Sequence, residues 1–313
     1  MTKNTIIRII QTIFLVCPIL WLIFMVDYKS VFSVLKSINP TIIFFLFALV
    51  FVRFILQSIR FWLLITPFSK KLKLGELILL DWKARYYSII MPSSAGQDIT
   101  RAILLGKHLS ISEIAALTIF FRATGILTFI LLALFGFFKL YSQEGISAAA
   151  ISIAILFILI CAVGLILFSE RATQKILSFL PKKTPKKIND FLVSTSKSIQ
   201  LYKKSPKLFV FNLFYALFLH LLFLLFPIVA IHAITGEWKV IEILTFFTTM
   251  ELIAAAVPFS PNGMGVREGL LLLFFETKEQ AASYITISII LYLMLFAGFF
   301  VVLWDKIKNK KKL

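Results

Sequence analysis

A chain of 313 residues that is 60% hydrophobic and only 15% charged departs from soluble domains, which are about half apolar and about a quarter charged. A soluble enzyme, a disordered chain and a collagen-like chain are thereby excluded. The formal charge of +18 lies mostly between apolar runs, which points to loops facing anionic headgroups and not to nucleic acid.

In chain order, the first run long enough to span is Ile6 to Val26, preceded by Lys3 and Arg8. A transmembrane helix needs roughly 20 apolar residues. With no small-x-small site after it, this run reads as an uncleaved anchor and not as a signal peptide. Further spans are expected at Pro40 to Leu64, Ile111 to Phe138, Ile146 to Phe168, Leu208 to Ile234 and Ala281 to Trp304. Two more segments, Leu74 to Leu105 and Val240 to Phe275, are apolar but broken in the middle by Pro, Ser and Gly. Each reads as a re-entrant helical hairpin, because broken backbone at membrane depth is tolerated only in protein or beside a wet cavity. Two short crossing helices per segment, giving ten crossings, is the competing topology.

The expected fold is an all-α polytopic membrane protein of six full spans plus two re-entrant helical hairpins. It forms one integral membrane domain: residues 1–39 hold the first span and an outer loop, 40–139 a first repeat, 140–207 a span and a basic loop, and 208–313 a second repeat and a basic tail. A cytoplasmic N-terminus leaves only Lys29, Lys36, Lys139, Lys239 and Lys278 of the loop cations outside, so both termini are expected in the cytoplasm of a bacterium or archaeon. The loop from Ser169 to Lys207, with "PKKTPKK" and "LYKKSPK", and the "KNKKK" tail are expected to meet anionic lipid loosely or to be solvated. Within that loop, "INDFLVSTSKSIQLY" has apolar residues at helical spacing.

Shifted by 166 positions, the first broken segment falls on the second. Glu76 meets Glu242, Pro92 meets Pro258, Ser94 meets Ser260, Arg101 meets Arg267, and Leu104–Leu105 meet Leu270–Leu271. The matched residues are mostly polar or proline, and the flanking spans run in opposite directions. An inverted repeat follows, an arrangement of secondary transporters whose substrate site lies near the midplane. Ser94 and Gln97 have capping-box spacing, and Ser260 precedes Pro261 as an N-cap precedes the first helical residue. Helix starts carry unpaired N–H groups and partial positive charge, which suits phosphate. Gly96, Gly263 and Gly265 permit close backbone approach, and Asn262 adds a short polar side chain.

Arg101 and Arg267 sit about two turns into these half-helices and form a candidate clamp for one phosphodiester or pyrophosphate. The alternatives are pairing with the neighbouring acids Asp98 and Glu268, or snorkelling to water. Arg122 is read as a site residue or a partner for Asp98 or Glu113, and Arg60 as snorkelling. Arg85 and Glu251 coincide under the shift and are candidates for an ion pair across the pseudo-twofold axis. His220 and His232 read as satisfied core histidines.

No nucleotide-binding, hydrolase or metalloprotease motif occurs. Cys17 and Cys161 lie in apolar runs and the three histidines are far apart, so no cofactor, metal or disulfide is expected. The stretches "MPSSAGQDITRAILL", "FFRATG" and "VPFSPNGMGVREGLLLL" resemble three signatures of the flippase-like family built on the transmembrane region of lysylphosphatidylglycerol synthase. The family's residues fall here on Pro92, Gly96, Asp98 and Arg101, then Arg122, then Pro258, Gly263, Gly265 and Glu268. The resemblance implies a membrane protein linked to moving lipids, among them aminoacylated phospholipids and polyprenyl-linked sugars, across the bilayer. Phe121 stands where many members carry an acid, and no soluble transferase domain fits, so synthase activity is not implied. The expected function is a flippase for a lipid with an anionic, phosphate-containing headgroup, and not an enzyme. The alternatives are a membrane enzyme or accessory subunit of glycolipid or phospholipid biosynthesis, and a small-solute transporter.

Overall fold

The computed structural model describes residues 28–68, 72–89, 96–140, 186–256 and 266–274, with single positions and short stretches between 151 and 175 and between 285 and 307. Among these residues there is no strand, and the described architecture is all-α. Three helices among the described residues are long and apolar enough to cross a membrane: α2 (Pro40–Ile65), α5 (Ile111–Leu140) and α7 (Pro206–Thr235). They match three expected spans to within two residues at each end. The spans expected at Ile6 to Val26 and Ile146 to Phe168 lie outside the described residues, as does much of Ala281 to Trp304.

Local chemistry sets the ends of these spans. Before α2, the Asn39 side chain accepts from the Thr41 N–H at 2.9 Å, and Pro40 takes the first helical position, where its missing N–H costs nothing. Before α5, Ser110 and Glu113 form a capping box: the Ser110 N–H donates to Glu113 Oε2 at 2.8 Å, and the Glu113 N–H to Ser110 Oγ at 3.4 Å. Glu113 is thus a cap and not the partner of Arg122. Helix α7 ends at Gly236, whose φ of 76° favours glycine and lets its N–H reach the His232 carbonyl at 2.8 Å.

The broken segments resolve into shorter helices. The first gives α3 (Leu74–Ser88) and α4 (Gly96–Leu105). The second gives α8 (Val240–Glu242), a π-helical turn at Ile243–Phe247, α9 (Thr248–Ala256) and α10 (Val266–Phe274). The intervening residues 90–95 and 257–265, with Ser94, Ser260, Asn262, Gly263 and Gly265, lie outside the described residues. The π turn was not legible in the sequence. Neither was α1 (Tyr28–Ser37), which stands where an outer loop was expected.

The chain folds as two compact units. One comprises Met1–Ile55, Leu79–Arg101 and Leu222–Leu313; the other comprises Leu56–Ile78 and Ala102–Leu221. In the second unit, α6 (Lys186–Lys203) packs along α5. Its Thr195, Ile199 and Tyr202 are buried at helical spacing. Tyr202 stacks on Phe120 at 4.1 Å between ring centroids and donates its hydroxyl to the Leu64 carbonyl at 2.9 Å. Burial pushes the Tyr202 phenol pKa up, which keeps the proton available for that bond. A stretch expected to lie loosely at the surface is therefore docked through its apolar face.

In the first unit, Val31 of α1 packs on Ile285 with Leu35 and Ile289 around them. Trp82 of α3 meets Phe51 and Phe54 of α2, each at 5.6 Å between centroids. Gly298 lies against α3 so closely that a Cβ there would stand 2.6 Å from the Trp82 carbonyl oxygen and 2.8 Å from Tyr86 Cβ. Close backbone approach at small residues is how helices associate in lipid, where apolar burial alone gives little drive.

Candidate functional site

Helix α3 places Asp81 and Arg85 one turn apart on one face, and Arg85 Nη2 donates to Asp81 Oδ2 at 3.0 Å. Asp81 is fully buried. From α4, Arg101 Nε donates to Asp81 Oδ1 at 3.0 Å, Arg101 Nη2 contacts the same oxygen, and Gln97 Nε2 donates to it at 3.2 Å. Arg101 Nη1 also donates to Asp98 Oδ1 at 3.0 Å. Asp98 sits in the first turn of α4, where the helix dipole favours a negative charge. Two carboxylates thus hold two buried arginines, and a charge-assisted network of this kind is costly to break at any single member.

The second broken segment repeats the arginine with a different partner. Arg267 of α10 donates from Nη2 to Glu251 Oε2 of α9 at 2.8 Å. Its Nε lies 2.6 Å from Glu251 Oε1 as an ion pair, although neither of these two atoms makes a directed hydrogen bond. Glu268 is buried and accepts from the Tyr292 hydroxyl at 2.7 Å. Upstream, threonines bond back into their own helix around the π turn: Thr245 to Ile241, Thr248 to Leu244 and Thr249 to Thr245. Single π turns recur at functional sites because they re-aim the side chains that follow.

Arg53 joins these groups from the middle of α2. Its guanidinium lies 4.0 Å from the Phe223 ring centroid and 6.0 Å from that of Phe54. Phe54 in turn lies 4.2 Å from Arg85, a cation–π arrangement. Arg85, Glu251 and Arg267 are all within electrostatic reach of Arg53. All these residues belong to the first compact unit.

The second unit holds its own buried cation. Arg60 is 3% exposed. Its Nε donates to Asn212 Oδ1 at 2.8 Å, and its Nη2 to Thr124 Oγ1 at 2.7 Å and to the Phe121 carbonyl at 3.3 Å. Asn212 Nδ2 closes the set on Thr124 Oγ1 at 3.0 Å. The expectation that Arg60 snorkels is corrected: neutral acceptors from α5 and α7 satisfy it where water cannot. Nearby, His220 Nδ1 lies 2.7 Å from Thr128 Oγ1 and its ring lies tilted against Phe129, 3.8 Å between centroids, as a satisfied core histidine does. His232 stacks on Trp238 at 3.8 Å.

Of the candidate residues, Gly96, Asp98, Arg101, Arg267 and Glu268 fall in the first unit; Asp98 binds Arg101 there, and Glu251 binds Arg267. Arg85 and Glu251 each pair within their own segment and not with each other. Arg122 is half-buried on α5 in the second unit. Sequence reasoning missed Asp81, Arg53 and Tyr292. For Asp81 the signal was present, since Asp81 and Arg85 are four apart and so share a helix face. Among the described residues no group of His, Cys, Asp and Glu fit to hold a metal occurs.

A family described as the lysylphosphatidylglycerol synthase TM region matches residues 8–303 of the chain. No curated protein and no solved structure matches it.

Proposed function

The chain belongs to the lysylphosphatidylglycerol synthase transmembrane-region family, and on that premise we propose that it moves a lipid with an anionic, phosphate-containing headgroup across the cytoplasmic membrane of a bacterium or archaeon. The observation that carries this reading is the gathering of Arg53, Arg85, Arg101 and Arg267, with their acids, in one compact unit built from both broken segments. Ionisable side chains within membrane segments are expensive and mark transport routes. A half-helix supports the re-entrant arrangement: α3 (Leu74–Ser88) rises only about 22 Å, against the ~30 Å hydrocarbon core.

On this reading Ser94, Gly96, Ser260, Asn262, Gly263 and Gly265 line the two breaks. A headgroup phosphate approaches there, drawn by the helix N-termini, and shares Arg101 and Arg267 with their carboxylates. Asp98 and Glu268 keep the arginines positioned. The basic stretch before α6 and the C-terminal tail face the anionic inner leaflet, with both termini cytoplasmic. The chain itself carries out no bond-making step.

The test uses proteoliposomes containing fluorescent phosphatidylglycerol, with leaflet accessibility read by dithionite quenching. Arg101→Ala and Arg267→Ala are expected to abolish translocation while protein abundance stays normal. Arg101→Lys, which keeps the charge but not the forked geometry, is expected to retain part of it. Unchanged transport in both alanine variants rejects the clamp. Product formation by the purified chain without any change of leaflet favours a biosynthetic role instead.

A further inference from the structure

Among the charged residues of the first compact unit, Arg53 differs from the other arginines in one respect. Arg85 has Asp81, Arg101 has Asp81 and Asp98, and Arg267 has Glu251 as bonded carboxylates. Arg53 has no carboxylate within ion-pair distance among the described residues, and its Nε is buried without an acceptor. The acid within its electrostatic reach, Glu251, is bound by Arg267. The other charges near it are the arginines Arg85 and Arg267.

Its position makes this costly. Arg53 lies thirteen residues after Pro40 and twelve before Ile65, so either end of the span is about 20 Å away at 1.5 Å per residue. That is farther than an arginine side chain can snorkel. The preceding Phe51 and Val52 are exposed on the apolar surface, whereas the guanidinium turns inward onto the Phe223 ring. One face is thereby covered, and the buried Nε is left without an acceptor.

We propose that Arg53 is an anion-binding residue that takes the oxygens of a phosphodiester or phosphate at the middle of α2, as the step between the arginines of the two broken segments. This assignment rests on the carrier reading above and deepens it. A planar guanidinium with one face on an aromatic ring and no resident acid presents a fork that matches two phosphate oxygens. An incoming anion meets a cation that need not first release a carboxylate. It also quiets the repulsion among Arg53, Arg85 and Arg267. A structural arginine would have been given acceptors, as Arg60 has been with Asn212, Thr124 and the Phe121 carbonyl.

The test pairs binding with stability on the full chain in uncharged maltoside micelles. Calorimetry titrates two probes, dihexanoylphosphatidylglycerol and inorganic phosphate. Arg53→Gln and Arg53→Met are expected to weaken the anion that the wild type binds by at least about tenfold, with Arg53→Lys recovering part. The melting temperature of Arg53→Met is expected to hold or rise, because a desolvated charge without an acid is removed. Dependence on Arg53 for the lipid alone identifies a headgroup ligand, and equal dependence for both probes identifies a general phosphate site; either supports the assignment. Wild-type affinity in the variants, a lowered melting temperature in Arg53→Met, or no binding of either probe by the wild type overturns it. The two readings fail separately. A wild type that moves fluorescent phosphatidylglycerol while Arg53→Met binds normally sinks only the Arg53 assignment. A wild type that binds phosphate through Arg53 yet moves no lipid sinks only the carrier.

Discussion

Replacing Asn212 by leucine tests whether Arg60 is a buried latch or a side chain with access to water. Asn212 supplies two bonds: its Oδ1 accepts from Arg60 Nε at 2.8 Å, and its Nδ2 donates to Thr124 Oγ1 at 3.0 Å. Leucine keeps the volume and removes both. A hydrogen bond to a charged group contributes about 1.5–3 kcal/mol and a neutral one about 1 kcal/mol. Interhelical bonds in membranes fall toward the lower part of such ranges. With Thr124 and the Phe121 carbonyl still accepting from Nη2, Asn212→Leu is expected to cost about 2–3 kcal/mol.

The informative measurement is the double-mutant cycle with Arg60→Met. Removing Arg60 alone leaves Asn212 Nδ2 bonded to Thr124 but strips the buried Asn212 Oδ1 of its donor, so the single variant carries the cost of one unsatisfied acceptor. Once the arginine is gone, the asparagine is no longer needed, so the double variant should be more stable than Asn212→Leu alone. The expected coupling is about 1.5–3 kcal/mol, read from equilibrium unfolding in mixed detergent–SDS micelles. Additive costs would refute the reasoning. They would mean that the guanidinium keeps a water partner when Asn212 is lost, as a snorkelling side chain does.

Gly298→Val is expected to destabilise by about 1–3 kcal/mol, because its Cβ would fall 2.6 Å from the rigid Trp82 carbonyl oxygen; a shifted Trp82 near-ultraviolet signal is the check, and an unchanged spectrum and stability count against the close approach. Tyr202→Phe removes the bond to the Leu64 carbonyl but keeps the stack on Phe120, so about 0.5–1.5 kcal/mol is expected in the same unfolding measurement. A cost near zero would mean that α6 is held by its apolar face alone.

The spans were legible because their signal is local: length, hydropathy and a cap such as Asn39 before Pro40 all lie within one stretch of chain. The helix of α6 was legible for the same reason, but its docking was not, because Tyr202 reaches Leu64 across 138 positions. Arg60 could not be read correctly from its own surroundings. Near the end of an apolar helix, snorkelling and burial look alike until Asn212, 152 residues away, is placed beside it. Asp98 and Arg101 were legible as a pair because three positions on a helix share a face. Their second partner, Asp81, lies twenty positions back and beyond the Pro–Ser break, so spacing gave no guide.

The same distance explains why the two broken segments look more alike in sequence than in bonding. Arg101 and Arg267 coincide under the 166-residue shift, but the position of Asp81 falls on Phe247, inside the π turn. The position of Arg85 falls on Glu251, which takes Arg267 directly. Asp81 and Asp98 thus hold Arg101 in one segment, and Glu251 holds Arg267 in the other. On the carrier reading, a phosphate that takes Arg101 displaces it from Asp81 and Asp98, and one that takes Arg267 displaces it from Glu251, which lies within reach of Arg53. Glu251 then finds a second cation when Arg267 turns to the ligand, so no buried charge is stranded during the exchange.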